Sequence, residues 1–447
     1  MMTLQQAAIF TKGECRGEGV AFDAVSIDTR TLAEGSLYVA IRGEQFDGHH
    51  FIAQAEQQGA CCVMVESVQT TDLPQLVVSD CRLALGELAR QWRAELALTV
   101  VGITGSNGKT TVKEILASIL TQAGPVFATK GNLNNDYGVP LTLLSLQRTH
   151  QFAVVEMGAN HGGEIAYLTQ LTRPDVAVVN NAGRAHLEGF GSEQGVATAK
   201  GEIYSGLADD GVAIINRDDQ YAEYWAGLCE GRKKVSFALD NRADIQATWC
   251  ANAQGSQLVI KTPNGHFDCH LALRGEHNVR NALAATAAAF ALGIDAEKIK
   301  LGIEAVSPVK GRLKHYNTAS GAAVIDDSYN ANLNSYSAAI EVLKGCSGKR
   351  ILVMADMAEL GESAEKDHRK VGELAASAGI EVLYALGEQS QRAAEAFGGE
   401  AYHFLDQHEL IAALKKEQAV GNTLLVKGSR SMAMERVVEA LLGEGEV

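Results

Sequence analysis

Residues 99–116 read TVVGITGSNGKTTVKEIL. A β-branched run ends at Ile103, a glycine-rich turn follows, and a helix-forming segment opens at Lys109 or Thr110. The strict phosphate-binding loop is a Gly, four residues, then Gly-Lys-Ser/Thr. Counted back from Gly108, Lys109 and Thr110, its first glycine falls on Ile103, and Gly102 and Gly105 are both displaced. The physical requirements are nevertheless present. Gly105 and Gly108 permit φ > 0 and close backbone approach. The freed amides of Gly105, Ser106, Asn107 and Gly108, with a helix N-terminus behind them, face an anion. Lys109 can reach the β/γ-phosphates, and the hydroxyl of Thr110 can bind Mg²⁺. A chance Gly-Lys-Thr would not bring strand, turn, lysine and paired threonines together.

Unbroken apolar runs continue on both sides. FAVVEMG (152–158), DVAVVNNAG (175–183) and GVAIINRDD (211–219) do not alternate, which suits strands buried on both faces of a parallel sheet. Helical segments lie between, such as TTVKEILASILTQ (110–122) and EQGVATAKGEIYSGL (193–207). Before residue 97, short apolar runs (AVSIDTR, GSLYVAI, CCVMVES, PQLVVSD) alternate with segments such as HHFIAQAEQQGA. After residue 320 the pattern recurs in GAAVIDDSYN, KRILVMADM, EVLYALGE and NTLLVKGS. The expectation is α/β in three domains: a small N-terminal α/β domain (1–97), a central P-loop-type, mostly parallel sheet domain (98–312) and a C-terminal Rossmann-like α/β domain (313–447).

Composition narrows the function. The 447 residues are 46% hydrophobic and 21% charged, as in globular proteins. A formal net charge of −15 argues against a nucleic-acid binder, but not against anions held locally by amides and a few cations. The eight cysteines include no C-x-x-C pair, so scattered reduced thiols of a cytosolic protein are expected, without structural zinc. No basic segment followed by an apolar core opens the chain, so no secretory signal is expected. NALAATAAAFALGI (281–294) is too short and Ala-rich to insert in a bilayer.

In an open α/β sheet, ligands gather at the carboxyl ends of the strands. Glu156 ends one such run, where a Mg²⁺-binding carboxylate and a surface glutamate are equally good readings. His186 lies in GRAHLEGFG; a lone loop histidine is more often surface than ligand. Lys200, in ATAKGEIY, would by itself be a solvated helix lysine. Lys310-Gly311-Arg312 could bring an arginine to a transferring phosphate, and Asp326-Asp327-Ser328-Tyr329-Asn330 could hold ribose, metal or an amine. Both also read plainly as a linker and a turn.

Taken in order, TGSNGKTT, VVEMGANHGGEI, NNAGRAHLEGFG, AKGEIY, GEHNVRNALAA, VKGRL and DDSYNAN resemble the ATP-dependent Mur ligases of bacterial peptidoglycan synthesis, over nearly the whole chain. That family's phosphate loop is the short Gly-x-Asn-Gly-Lys-Thr form, with Gly105 as its first glycine. IDTRT, RGEQFDGH, GNLNNDYGVPLTLL, DMAELGE and LVKGSRSMAMERVV resemble the branch that joins D-alanyl-D-alanine to UDP-N-acetylmuramoyl-tripeptide through an acyl phosphate.

The resemblance implies a role for each matching position. Thr29, Gln45, Phe46, Asp47 and Gly48 would hold the uridine diphosphate end. Asn134 and Asn135 would face the substrate near the ATP γ-phosphate. Residues 105–111 would bind the phosphates, with Lys109 the main cation. Thr110 and Glu156 would hold one Mg²⁺ and His186 a second. Lys200 matches a lysine that many relatives carry N-carboxylated, which would add an oxygen ligand. Asn278 and Asn281 would lie at the adenine. Arg312 and Asp327 would reach ATP from the third domain, while Ser328 and Asn330 would meet the incoming dipeptide. A cytoplasmic monomer is the family default. Ala355, Leu333 and Tyr137 depart from the family pattern without removing a polar catalytic group.

Other ligases on the same scaffold, including folylpolyglutamate synthetase, remain as alternatives. So does a non-catalytic ATP switch, although joint retention of Lys109, Thr110, Glu156, His186 and Lys200 argues against it.

Overall fold

The computed structural model describes residues 1–43, 46–252 and 254–443. Gln45 lies outside the described residues. Three large sheets, each coated by helices, follow one another along the chain, with a small antiparallel pair, Met2–Thr3 and Ala21–Phe22, beside the first.

The first sheet has the spatial order Glu14–Arg16, Gln75–Val77, Cys62–Val65, Ser36–Val39, Ala24–Ser26. All its pairs are parallel except the Glu14–Arg16 edge. The amphipathic helix Cys81–Ala94 follows, started by Asp80, whose carboxylate accepts the Leu83 amide at 2.8 Å.

The central sheet runs Val126–Ala128, Phe152–Glu156, Thr99–Thr104, Val176–Val179, Val212–Asn216, Lys233–Ala238, Ile245–Asn252 in parallel. Alternate residues of each inner strand enter different cores. Val101, Ile103, Val154 and Val178 face the helices Lys109–Thr121 and Glu276–Ala291. Val100, Ala153, Val155 and Val179 face the helices Cys81–Ala94 and Glu164–Thr172. Burial on both faces is why these strands read as continuous apolar runs. The Ala-rich segment is a packing helix: Ala282, Ala284, Ala285, Ala287, Ala288 and Ala289 are all inaccessible, and their small side chains let it lie close against Lys109–Thr121. Among the described residues, no helix is long and apolar enough to cross a membrane. Gly255–Thr262 and Gly265–Leu271 extend the sheet antiparallel. The sequence reading did not anticipate these edge strands. They face water on one side, and residues such as Gln257, Lys261 and Asp268 dilute their pattern.

The third sheet runs Lys314–Asn317, Ala323–Asp327, Asn422–Lys427, Lys349–Ala355, Val382–Leu386, Glu400–Phe404, parallel except at its first strand. Its two apolar cores are its own. By contrast, one continuous core joins the first sheet to the central one, and Trp92 Nε1 donates to Leu146 O at 3.0 Å across that seam. The chain therefore packs as a fused N-terminal and central block carrying a separately cored third sheet. The segment between them contains Gly311 (φ 76°) and Leu313 (φ 53°). A leucine held in the left-handed region costs roughly 1–2 kcal/mol.

Candidate functional site

The strand Thr99–Thr104 lies between Phe152–Glu156 and Val176–Val179: the chain leaves it to one side, for Val126–Ala128, and after Phe152–Glu156 crosses to the other, for Val176–Val179. A crevice opens at the carboxyl end of such a strand. The turn Gly105–Gly108 crosses it. Gly108 (φ 78°) starts the helix Lys109–Thr121, and a Cβ there would collide with Asn281 Oδ1 and Asn180 Nδ2.

Those asparagines belong to a belt that fixes the turn. The Asn107 amide donates to Asn181 Oδ1 at 2.9 Å, and Asn180 Nδ2 donates to Asn107 O and Asn281 Oδ1, each at 2.9 Å. Ser106 Oγ donates to Gly183 O at 3.2 Å and accepts the Gly183 amide at 3.0 Å. Asn281 Nδ2 donates to Asn278 Oδ1 at 3.1 Å, and Asn278 Nδ2 to Arg274 O at 2.8 Å. Asn278 and Asn281, expected at the adenine, both line the cleft, and Asn281 is tied to the phosphate turn through Asn180. Sequence reasoning missed Asn180 and Asn181, although NNAG directly follows a strand, where side chains meet ligands and loops.

Lys109 Nζ folds onto the turn, donating to Gly105 O at 2.7 Å and Ser106 O at 3.4 Å. Burial lowers its pKa, Glu156 opposes that shift, and Arg312 adds to it. Thr111 lines the crevice, and the buried Thr110 accepts a hydrogen bond from Arg312 Nη2 at 3.0 Å.

Glu156 is 1% exposed, so the surface reading fails. Parallel pairing sets it opposite Ile103, one strand from the turn. Its Oε1 accepts Asn134 Nδ2 at 2.8 Å, while its buried Oε2 has no hydrogen-bond partner. An unpaired buried carboxylate oxygen is costly and suits a cation. Among the described residues, no three His, Cys, Asp or Glu side chains group into a self-sufficient metal site. Mg²⁺ is commonly held by one or two protein oxygens, with substrate phosphates and water completing its shell. Asn135 also lines the cleft, and its Oδ1 accepts the Gly138 amide at 2.9 Å.

Lys200 corrects the solvated-lysine reading. It is the penultimate residue of the helix Glu193–Gly201 and is 1% exposed, because that helix packs its Val196, Ala197 and Ala199 inward beside it. Its Nζ has one long bond, to Ala159 O at 3.4 Å, and lies 5.3 Å from the Phe190 ring centroid. Desolvation, then the charge of Lys109, pulls its pKa to about 7, against Glu164 and Glu202. A neutral amine is therefore well populated at neutral pH. His186 (φ 53°) is not a plain surface residue either: its Nδ1 pairs with Glu359 of the third sheet's block.

The third sheet supplies the far wall. Lys427, which sequence reasoning left without a role, is buried and donates to Asp327 Oδ2 at 2.6 Å and Asn330 O at 2.9 Å. Arg312 Cζ sits 4.0 Å from the Tyr329 ring centroid. Ser328 Oγ donates inward to Asp326 Oδ1, away from the crevice. Asn332 Nδ2 donates to Asn107 Oδ1 at 2.8 Å, joining the two walls. The cleft measures about 980 Å³. It is lined by Lys109, Glu156, His186, Asn278, Arg312, Asp327, Asn330 and Lys427, and at one end by Arg82 from the N-terminal block. Thr29, Phe46, Asp47 and Gly48 lie outside it, in the connections between strands of the first sheet. There Arg42 Nε donates to Asp47 Oδ2 at 3.0 Å, Tyr38 Oη donates to Gly48 O at 3.0 Å, and Phe46 is 69% exposed.

Family models cover most of the chain: the Mur ligase family catalytic domain matches residues 21–93, the Mur ligase middle domain 103–289, and the Mur ligase glutamate ligase domain 311–430. The chain belongs to the Mur ligase family. One Mur ligase relative is the UDP-N-acetylmuramoyl-tripeptide–D-alanyl-D-alanine ligase of Escherichia coli (strain K12), 47% identical over 99% of both chains. MurF from Acinetobacter baumannii superposes with a TM-score of 0.92 at 37% identity, covering 98% of each chain. MurF ligase from Thermotoga maritima, solved in complex with ADP, gives a TM-score of 0.82 at 28% identity, covering 94% of this chain and 96% of that one.

Proposed function

We infer that this Mur ligase joins D-alanyl-D-alanine to UDP-N-acetylmuramoyl-tripeptide, converting ATP to ADP and phosphate, in cytoplasmic peptidoglycan precursor synthesis. One observation carries the reading. A pinned phosphate turn and a buried carboxylate with an unpaired oxygen line one cleft with cations from a second block, and a buried lysine without a carboxylate partner bonds Ala159, which lines the same cleft. Such a site is built to position phosphates and neutralise charge, which phosphoryl transfer needs more than a protein nucleophile. The names of the relatives point to the same reaction.

In the reaction, the terminal carboxylate of the tripeptide attacks the γ-phosphate and ADP leaves. The amine of D-alanyl-D-alanine then attacks the acyl phosphate, and the tetrahedral intermediate expels phosphate. The amides of residues 105–108 and Lys109 hold the phosphates, with Thr111 at the helix start. Arg312 and the Asp327–Lys427 pair present charge from the other wall. Asn278 and Asn281 stiffen the wall against which the adenine lies. Asn134 fixes one oxygen of Glu156, leaving the other free. Thr110 and Glu156 would hold one Mg²⁺ and His186 a second; the ion neutralises phosphate charge when bound. Lys200, a buried amine lacking an anionic partner, suits N-carboxylation, which turns it into an oxygen donor.

Residues 1–97 hold the uridine diphosphate end through Thr29, Phe46, Asp47 and Gly48. Residues 98–312 bind ATP, and residues 313–447 present the dipeptide near Ser328 and Asn330. The enzyme acts as a monomer. Phosphate release tests the whole reading: it should require ATP, UDP-N-acetylmuramoyl-tripeptide and D-alanyl-D-alanine together. Equal release without the dipeptide would overturn it.

A further inference from the structure

The cleft continues past Glu156 toward the N-terminal block, and there its chemistry changes. Asn134 holds Glu156; two residues later, Asp136 also lines the cleft, and its Oδ2 accepts Arg82 Nη1 at 3.0 Å. Both partners are partly open to the cleft, with side-chain exposures of 44% for Arg82 and 30% for Asp136. Beside them lies Tyr167, from the helix Glu164–Thr172. Its hydroxyl sits against Gly86, one turn along from Arg82, where any Cβ would collide with it. That buried hydroxyl has no hydrogen-bond partner. Burial raises its pKa, so it stays an O–H donor.

We propose that Arg82, Asp136 and Tyr167 read the third residue of the tripeptide, selecting a side chain that ends in both an ammonium and a carboxylate, as diaminopimelate does, over the lone ammonium of lysine. The proposal rests on the ligase reading above. In that reading the reacting carboxylate belongs to the third residue and lies by the phosphate turn, and the uridine end lies on the first sheet. The third side chain is then the part of the substrate that meets the wall between them. An amino-acid head group can replace the Arg82–Asp136 pair without loss: its carboxylate meets the Arg82 fork, its ammonium meets Asp136, and the Tyr167 hydroxyl gains an acceptor. A lysine ammonium meets Asp136 only. It takes the carboxylate from Arg82 and leaves both Arg82 and Tyr167 unpaired.

The test compares two substrates, UDP-N-acetylmuramoyl-tripeptide ending in diaminopimelate or in lysine, by phosphate release with ATP and D-alanyl-D-alanine saturating. The unmodified enzyme is expected to favour the diaminopimelate substrate by about tenfold or more in kcat/KM, the scale of one lost charge-assisted contact. Arg82→Gln should bring the ratio within about threefold of one by raising KM for the diaminopimelate substrate, with kcat little changed. Tyr167→Phe should raise the same KM several-fold and leave Tm unmoved, since its hydroxyl bonds nothing in the protein. Equal use of both substrates by the unmodified enzyme, or an equal loss on both in Arg82→Gln, would overturn the proposal. Phosphate release with neither substrate would instead sink the ligase reading beneath it.

Discussion

Arg312 Nη2 donates to Thr110 Oγ1 at 3.0 Å, tying the segment that leads into the third sheet to the first turn of the phosphate helix. Arg312 Cζ also sits 4.0 Å from the Tyr329 ring centroid, and both residues line the cleft. Arg312→Ala is expected to lower kcat by about 10²–10³ while moving Tm little, as for other groups that meet charge developing in the transition state. Stopped-time phosphate assays and a thermal scan decide it.

The third sheet has separate cores and meets the rest through polar pairs at the cleft: Arg312–Thr110, Asn332–Asn107, His186–Glu359 and Arg184–Asp367. Polar contacts break at low cost in water, and Gly311 and Leu313 supply the turning point. Small-angle scattering should therefore change when an ATP analogue and the sugar nucleotide are added together. Superimposable profiles would count against closure about residues 310–320.

Lys109→Ala should abolish turnover, at least about a 10³-fold loss, since the phosphates lose their nearest cation. The fold should survive, because the Lys109 amine bonds only the carbonyls of its own turn. Near-normal activity would detach the turn from the triphosphate. Gly108→Ala probes the turn differently: a left-handed alanine costs about 1 kcal/mol, and its methyl would strike the asparagine belt. Calorimetric titration with an ATP analogue should show about tenfold weaker binding or worse.

Lys200→Ala is expected to be nearly inactive, with partial recovery on adding formate or acetate. Full activity of the variant without rescue would return Lys200 to a purely structural place in its helix. Carbon-13 bicarbonate should label the unmodified protein at a carbamate resonance absent from the variant.

Stability should fall in mild acid. Desolvation lowers His277 and His315 from the usual 6.5 to about 4 each, the charge of Lys427 assisting at His277 and that of Arg274 at His315. Between those values the rings are neutral when folded and charged when unfolded, so the unfolded chain binds more protons and stability rises with pH. Each ring contributes up to about 3 kcal/mol of this loss by pH 4, and nothing further above pH 7. Urea midpoints at pH 7 and pH 5 measure it, and His315→Leu should remove about half of the difference.

The reach of sequence reading differs from residue to residue. The phosphate turn is local: strand, glycines, lysine and threonines are contiguous, so their geometry follows from backbone chemistry. The inner parallel strands announce themselves because burial on both faces leaves no polar positions. The strands 255–271 do not, since one face meets water. Lys200 looks like any helix lysine until the packing of its helix removes water from it. Glu156 could be read either way until its register beside Ile103 was known. Asn180, Asn181, Asn332 and Lys427 act through partners up to 225 residues away.

By itself, the sequence determined the three-part α/β order, the place of the phosphate turn and, through its ordered motifs, the family. Only the tertiary structure decided that the first two sheets share one core while the third keeps its own. It alone left an oxygen of Glu156 without a donor, buried Lys200 without a counterion, and set Arg82, Asp136 and Tyr167 on one wall. Backbone preferences act over a few residues and are written in neighbouring letters. Desolvation and pairing depend on what the fold brings within a few ångströms, and that is a property of the packed chain.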